Sequence, residues 1–340
     1  MTDIIELHRS FWQMKNTEPL IELHEYAPLS RDTKIPLSDG RLVSDDVVLY
    51  PELIDPKLFV REIRNDEKAS PIHGDFIRAM APQDLCWTQA LVGCPIRVNA
   101  GKVWAEPFLE DVTKIDLSSL KTNDKWLEKL LEFTRVLVEV SSGRYPVVQP
   151  LFRGPIDMAA SALGPDKLCI AAYRHPDEFG GFLDFCSQTF IDAFNHQANL
   201  IPQFYDGYCC EYGIWAPKPI CRDQADHSVL ISPQLYEKVF LRHDLKIIDS
   251  SEYTTFHLHS ATVHIANILR KIPKLSAIQV SIDYPAKAFS PPVEELMLTF
   301  KEIQKSKPLI ITGPVTGKEL SLILDELRPE GLALKPSIMS

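Results

Sequence analysis

The chain has 340 residues, of which 45% are hydrophobic and 24% are charged. This is the balance of an ordinary globular protein, and it excludes a chain dominated by disorder. The formal net charge of −10 argues against binding to nucleic acid or to an anionic membrane surface, because both carry negative charge.

The amino terminus and the cysteines indicate a cytoplasmic protein. The first residues, MTDIIELHRSFWQMK, carry acidic groups where a signal peptide would have an apolar core. The sequence has no run of about 18 apolar residues, as a transmembrane helix would need. Its seven cysteines form no Cys-x-x-Cys motif, so neither a disulfide framework nor a zinc ribbon is expected.

Residues 1–145 are predicted to form an α/β extension. An amphipathic helix is expected over residues 2–15, and Asp55 before Pro56 is typical of the start of a short helix. The sequence IRVNAGKVWAE predicts a β-hairpin. The pattern from Asn123 to Gly143 predicts a long helix with a polar N-cap.

From residue 146 onward, apolar strand-like runs alternate with helical patterns. The run YPVVQPLF leads into a helix, GPIDMAASALG, and a longer helix follows that is interrupted in pattern at Gly180 and Gly181. After an irregular insertion come the runs YTTFHLHS, LSAIQVSID, LIITG and GLALKP, separated by helices. This alternation predicts an α/β fold, a (β/α)8 TIM barrel built mainly by residues 146–340 as one unit with the extension.

Two histidines separated by one residue end the run YTTFHLHS. In a strand alternate side chains share a face, so His257 and His259 point the same way and can chelate a metal. The alternative is that they are satisfied core residues or strand-end caps. A metal needs at least one more protein ligand, and several residues could supply it: Asp206, Cys209, Cys210, Glu211, Asp226, His227 and Asp283.

Other polar groups near predicted strand ends are candidates for chemistry. Asp226, Asp283 and His227 are candidate general acids or bases, or supports for a histidine, although an aspartate before a helix is as often an N-cap. Arg153 precedes the helix start at Gly154, where backbone N–H groups favour a carboxylate or phosphate; a tight turn with a surface arginine explains it equally well. The predicted substrate-binding residues are Arg153, Asp206, Tyr208 and Trp215.

The order of several segments resembles the uroporphyrinogen decarboxylase superfamily. The segments are GPIDMAASALG, SVLISPQLYEKVF, FHLHSATVHIANIL, SAIQVSID and LIITGPVTGKELSLIL, and the resemblance covers roughly Val147 to Pro336. It implies a (β/α)8 barrel with an N-terminal extension. The superfamily includes porphyrinogen decarboxylases and zinc-dependent methyltransferases that act with corrinoid proteins or free cobalamin. The resemblance therefore implies zinc or another divalent metal, a corrinoid carried by a partner protein, and allows a homodimer.

The sequence also departs from the superfamily patterns. The arginine-rich motif of porphyrinogen decarboxylases has no counterpart before Arg31, so that reaction is not expected. The methyltransferases use a His-x-Cys pair and a distant cysteine; here His259 holds the cysteine position, and the loop TGPVTG has no cysteine.

We therefore predict an enzyme that transfers methyl groups at a His-x-His metal site and acts on a small molecule. One alternative is a metal-independent decarboxylase or lyase that holds a carboxylate substrate with Arg153. Another is a barrel that binds a ligand without catalysis. A hydrolase of the amidohydrolase type ranks lower, because its His-x-His pair normally lies on the first barrel strand.

Overall fold

A computed structural model describes residues 1–26, 35–43, 46–60, 70–99, 102–283 and 290–339. Arg31, Ala100 and Gly101 lie outside these ranges. The α-helices are α1 (Thr2–Trp12), α2 (Pro56–Phe59), α3 (Trp87–Leu91), α4 (Asp124–Ser141), α5 (Pro155–Leu163), α6 (Pro165–Arg174), α7 (Pro176–Ala198), α8 (Pro233–Leu235), α9 (Leu241–Asp249), α10 (Ala266–Leu269), α11 (Val293–Gln304) and α12 (Gly317–Glu326). The strands are β1 (Leu20–Ile21), β2 (His24–Glu25), β3 (Val47–Leu49), β4 (Ile72–His73), β5 (Phe76–Ile77), β6 (Ile96–Asn99), β7 (Lys102–Ala105), β8 (Tyr208–Cys209), β9 (Trp215–Ala216), β10 (Ile220–Gln224), β11 (Tyr253–His259), β12 (Ala277–Ser281), β13 (Leu309–Thr316) and β14 (Leu332–Met339).

A parallel sheet organises the molecule. Its strands follow the order β1, β14, β13, β12, β11, β10, and β2 also pairs with β14. The α/β class predicted from the sequence is thereby confirmed. The pairings account for seven parallel strands among the described residues, and they do not establish the predicted closed ring of eight.

The four apolar runs after the insertion became the strands β11 to β14 because both faces of the sheet are covered. Phe256 and Leu258 in β11 are fully buried and belong to the main hydrophobic core, together with residues of the surrounding helices. Parallel strands covered on both faces read as nearly continuous apolar sequence. Polar residues in such strands therefore stand out.

The predicted helix after Asn123 is confirmed as α4. The Asn123 side chain accepts a hydrogen bond from the Trp126 N–H, which satisfies one of the free donors at the helix start. The long helix predicted across Gly180 and Gly181 is confirmed, because α7 is continuous through both residues. A side chain at Gly180 would collide with Arg242, and one at Gly181 with Leu117, so these glycines permit close packing.

The amino-terminal third supplies part of the sheet. β1 and β2 pair with β14, and the predicted hairpin is present as β6 and β7, joined on one side by β3. The Asp55 cap and the helix α2 that it begins are also present. The boundary between residues 145 and 146 stays a prediction.

The first helix closes the amino edge of the sheet. Phe11 of α1 shares a buried cluster with Leu20, Ile220 and Ala277, which lie at the starts of their strands. The carboxyl edge, where β11 ends in His259, is the edge at which α/β proteins place their sites. None of the described helices is long and apolar enough to cross a lipid bilayer.

Candidate metal centre

Three side chains converge at the carboxyl ends of β10 and β11. The imidazoles of His257 and His259 lie 4.8 Å apart between ring centroids, with planes at 86°. Asp226 begins the 3-10 helix Asp226–Leu230 that follows β10. Its Oδ1 lies 3.9 Å from His257 Nε2, and its Oδ2 lies 3.9 Å from His259 Nε2. We call Asp226, His257 and His259 the triad; their ligand atoms all lie within 4.8 Å of one another.

Gln279 fixes the orientation and the tautomer of His257. Arg222 Nε donates to the Tyr212 hydroxyl, and that hydroxyl donates to Gln279 Oε1 at 2.9 Å, while Gln279 Nε2 donates to Thr312. Gln279 Oε1 is therefore an acceptor, so His257 Nδ1, which also contacts it, carries the proton. The lone pair of Nε2 then faces Asp226.

His259 is held in the same way by a carboxylate. Its Nδ1 lies 2.8 Å from Asp283 Oδ1 and donates to it, which leaves Nε2 directed at Asp226. Imidazoles that bind metals usually donate their second N–H to a carboxylate or a carbonyl in this manner. Both histidines therefore have the support that a metal ligand needs.

The two imidazoles differ in pKa. The hydrogen bond to Asp283 raises the pKa of His259 in spite of partial burial. Burial lowers the pKa of His257 well below its usual value, and the positive charge of Arg222 adds to this effect. His257 is therefore neutral at physiological pH, which is the state that binds a metal.

Asp157 of α5 holds the start of the helix that carries Asp226. This buried carboxylate accepts hydrogen bonds from the backbone N–H of Asp226 at 3.1 Å and of His227 at 2.8 Å. It also accepts from His227 Nδ1 at 2.9 Å and from Gln224 Nε2 at 3.0 Å. Gln224 Nε2 in turn donates to Asp226 Oδ2 at 2.8 Å. Asp157 therefore orients Asp226 in two ways. It accepts from the Asp226 backbone N–H, and it holds Gln224, which donates to the Asp226 carboxylate.

The pKa values of the two carboxyls diverge. Burial raises the pKa of Asp226 to about 6, and the charge of Asp157 adds to this shift. Burial also acts to raise the pKa of Asp157, but the hydrogen bonds and positive charge of His227 hold it below its usual value. Asp157 therefore stays ionised, while Asp226 takes up a proton near pH 6.

The donor set fits a divalent metal. Asp226 Oδ1 is buried and has no hydrogen-bond partner among the described residues. The 3.9 Å separations are near the roughly 3.4 Å between ligands at about 2.1 Å from a tetrahedral zinc. Two imidazoles and one carboxylate leave a fourth position open, as in catalytic zinc sites, and the same set also suits other divalent metals.

The structure brings together some of the residues predicted from the sequence. Asp226 joins His257 and His259, Asp283 bonds to His259, and His227 bonds to Asp157 beside them. The strand predicted before Arg153 is wrong, since the run YPVVQPLF makes only an isolated bridge between Val147 and Met80. Arg153 pairs with Asp84, with 3.2 Å between Nη2 and Oδ2, and its charge also acts on Asp226 and His257.

The other predicted substrate-binding residues lie towards the amino edge of the sheet. Trp215 is fully buried; its indole N–H donates to the Phe204 carbonyl, and its own carbonyl accepts from Trp12 of α1. Tyr208 pairs with Ala216 in the small hairpin β8–β9, and Asp206 lies in the tight turn before it. The structure does not bring these three residues to the triad, because their segment precedes β10 and packs against α1.

The cysteines proposed as a third ligand belong to the same buried segment. Cys209 and Cys210 are both almost fully buried, and burial raises the pKa of both thiols. They are not part of the ligand cluster. The carboxylate of Asp226 takes the third position instead.

Sequence analysis missed the residues that support the triad. These residues are Asp157, Tyr212, Arg222, Gln224 and Gln279. A signal was present for three of them, because Arg222, Gln224 and Gln279 are buried polar residues within strands. A polar side chain inside such a strand needs partners.

A cavity in another part of the molecule does not include the triad. It measures about 540 Å³ and lies over α4, where Glu52, Lys125 and Lys129 contribute to its walls. Lys125 pairs with Glu52, and Lys129 with Glu132. None of the triad lines it.

Comparison with known proteins identifies a structural likeness only. No protein-family model and no curated protein matches the chain in sequence. Among solved structures, the fold is similar to that of a methyltransferase from Methanosarcina mazei, with a TM-score of 0.61. The two share 13% sequence identity over 97% of this chain and 91% of that chain. At this identity, the likeness shows a common fold.

Proposed function

We propose that this chain is a metal-dependent enzyme of the methyl-transfer type that acts on a small molecule. Zinc or another divalent metal would be bound by Asp226, His257 and His259. The observation that carries the proposal is the convergence of two imidazole Nε2 atoms on one buried carboxylate, within 4.8 Å. The outward Nδ1 atoms are both occupied by hydrogen bonds, so Nε2 is the free donor of each ring.

The charge of the three ligands affects the reactivity of a metal bound at this site. When bound, a divalent metal lowers the pKa of a thiol or hydroxyl at its open position and so supplies a nucleophile. Two neutral imidazoles and one carboxylate donate a single negative charge, less than thiolate ligands would.

In the reaction, the acceptor X–H loses its proton and its X atom forms a bond to the methyl carbon. The bond from that carbon to the donor breaks, and its electron pair stays with the donor. His227, held by Asp157 and not a ligand, is our candidate for the base: in its neutral form Nδ1 donates to Asp157 and Nε2 takes the proton, and Asp157 then stabilises the imidazolium. Asp283 keeps its support of His259 throughout.

Two lines of argument support methyl transfer over decarboxylation. The sequence resembles a superfamily that contains methyltransferases, and a methyltransferase shares the fold. The wider proposal is a member of the uroporphyrinogen decarboxylase-like superfamily with a closed (β/α)8 barrel. It uses a corrinoid carried by a partner protein, and it works in the cytoplasm as a homodimer.

The test is metal analysis of the purified protein combined with turnover. We expect one equivalent of a divalent metal in the wild type and loss of it in His257→Ala, His259→Ala and Asp226→Asn. His196→Ala is the matched control, because His196 is exposed and, among the described residues, its ring bonds to the Asp192 carbonyl of its own helix. With methylcobalamin as donor and a panel of thiols as acceptors, methyl transfer should stop in chelator and return with zinc. Full activity of metal-free protein would overturn the proposal, and ligand binding without turnover would favour a non-catalytic barrel.

A further inference from the structure

A cavity of about 250 Å³ lies on the same face of the sheet as the triad. Lys335 of β14 lines this cavity and pairs with Thr312 of the neighbouring strand β13. The Thr312 side chain accepts a hydrogen bond from Gln279. Lys335 Nζ also donates to the Tyr212 carbonyl, and the Tyr212 hydroxyl bonds to Gln279. The cavity and His257 are thus joined through Gln279. Its charged and imidazole lining residues are Glu22, His24, His73, Arg78, Glu211 and Lys335.

The walls present both signs of charge in fixed positions. Glu22 is only 8% exposed; its carboxylate lies 2.9 Å from Lys335 Nζ and 3.0 Å from His24 Nε2. Glu211 Oε1 lies 2.6 Å from Nε of the buried Arg222. Ion pairs that are largely shielded from water are held by their surroundings and are weakly screened by salt. The cavity is therefore arranged before any ligand arrives.

The side chains that line the cavity carry equal numbers of positive and negative charges, and Arg222, which pairs with Glu211, is not among them. Glu22 and Glu211 contribute two carboxylates, and Arg78 and Lys335 contribute two cations. A ligand with only negative charge would face both carboxylates, and one with only positive charge would face both cations. A ligand that carries one charge of each sign can be complementary to both.

We propose that this cavity binds the zwitterionic head group of the substrate, of the α-amino-acid type. Its carboxylate lies towards Arg78 and Lys335, and its ammonium group towards Glu211. The volume of about 250 Å³ is below the roughly 300 Å³ at which pockets for drug-sized ligands begin, which suits a head group of this size. The assignment of this ligand as a substrate rests on the proposed function.

The position of the cavity limits the shape of the substrate. β14 is three strands from β11, which is at most about 14 Å at a spacing of about 4.8 Å per strand. A substrate that occupies both the cavity and the triad therefore spans at most about 14 Å between them.

Binding of two probes, L-methionine and N,N-dimethylglycine, tests the inference by calorimetry, on protein as purified and after removal of metal. We expect at least one probe to bind in both preparations. Removing one charge, in L-methionine methyl ester or 4-(methylthio)butanoate, should weaken binding about tenfold or more, as expected for loss of a charge-assisted hydrogen bond. Arg78→Gln should weaken binding by a similar factor. Lys318→Gln is the control, because Lys318 is an exposed lysine of α12.

Lys335→Gln alone would leave Glu22 without its cation, so the double variant Glu22→Gln with Lys335→Gln is measured beside it. It keeps the cavity neutral, and it should also bind the zwitterion about tenfold more weakly. Binding of neither probe, equal affinity for the single-charge analogues, or unchanged binding in Arg78→Gln would each overturn the inference. Metal content is measured on the same samples. A protein that binds no metal but still binds the zwitterion would overturn the proposed function and support the cavity. A protein that binds the metal but not the zwitterion would overturn the inference about the cavity and leave the metal site supported.

Discussion

Replacing Asp157 by asparagine tests whether this buried carboxylate positions the metal ligand Asp226. Oδ1 accepts from the His227 N–H and from His227 Nδ1, and Oδ2 accepts from the Asp226 N–H and from Gln224 Nε2. The asparagine amide keeps one acceptor and turns an NH2 group towards the other two donors. A buried donor without an acceptor costs about 1–3 kcal/mol, so we expect a loss of about 3 kcal/mol in the free energy of unfolding. Residues that orient metal ligands typically change metal affinity by about 10–100-fold when replaced, and we expect a loss in that range.

The assay is competition for zinc with a chromogenic chelator, together with urea unfolding followed by tryptophan fluorescence. Asp166→Asn is the control, since Asp166 occupies the first turn of α6 as Asp157 does that of α5, but it is exposed. If Asp157→Asn lost stability but bound zinc like the wild type, Asp157 would be structural and the positioning argument would fail. Unchanged stability would refute the hydrogen-bond arrangement itself.

Three further predictions follow from the pKa shifts and the hydrogen bonds. Zinc affinity should fall by up to about a hundredfold per pH unit below pH 6, because both Asp226, with a pKa of about 6, and His259, whose pKa is raised above its usual value, must lose a proton to bind metal; a constant zinc affinity in chelator competition from pH 5 to 8 would contradict this. Gln279→Leu should weaken zinc binding about tenfold, because His257 loses the acceptor that fixes its tautomer, and unchanged affinity would count against the network. Burial lowers the pKa of His8 to about 4, although the hydrogen bond that its Nε2 donates to the Asp75 carbonyl acts to raise it; its Nδ1 accepts from the Trp215 N–H. Unfolded histidine titrates near 6.5, so stability should be full above that pH and decrease by up to about 3 kcal/mol as the pH falls to 4; His8→Gln should flatten this slope in acid unfolding.

Local patterns allowed the scaffold and the metal-binding strand to be predicted. The period of two in YTTFHLH placed His257 and His259 on one face, and the structure has them side by side. The helix α4 followed from its capping residue Asn123 and its apolar spacing. In both cases the determining interactions lie within a few residues along the chain.

The supports of the triad depend on contacts between distant residues. Asp157 reads as an ordinary polar residue in the first turn of a helix, yet its partners are 67 to 70 residues away in sequence. The same holds for Gln279, which bonds to His257 22 residues before it and to Tyr212 67 residues before it. No periodicity encodes such pairings, so only the assembled sheet reveals them.

The pairing of β1 with β14 has a consequence for shortened forms of this chain. Leu20 and Ile21 cover one edge of β14 opposite Ala333 and Leu334, and the Glu22 N–H bonds to the Leu334 carbonyl. A form that starts after Tyr26 would leave that edge bare, and an uncovered apolar strand recruits strands from other molecules. Self-association into oligomers should therefore follow from this truncation, and light scattering would detect it.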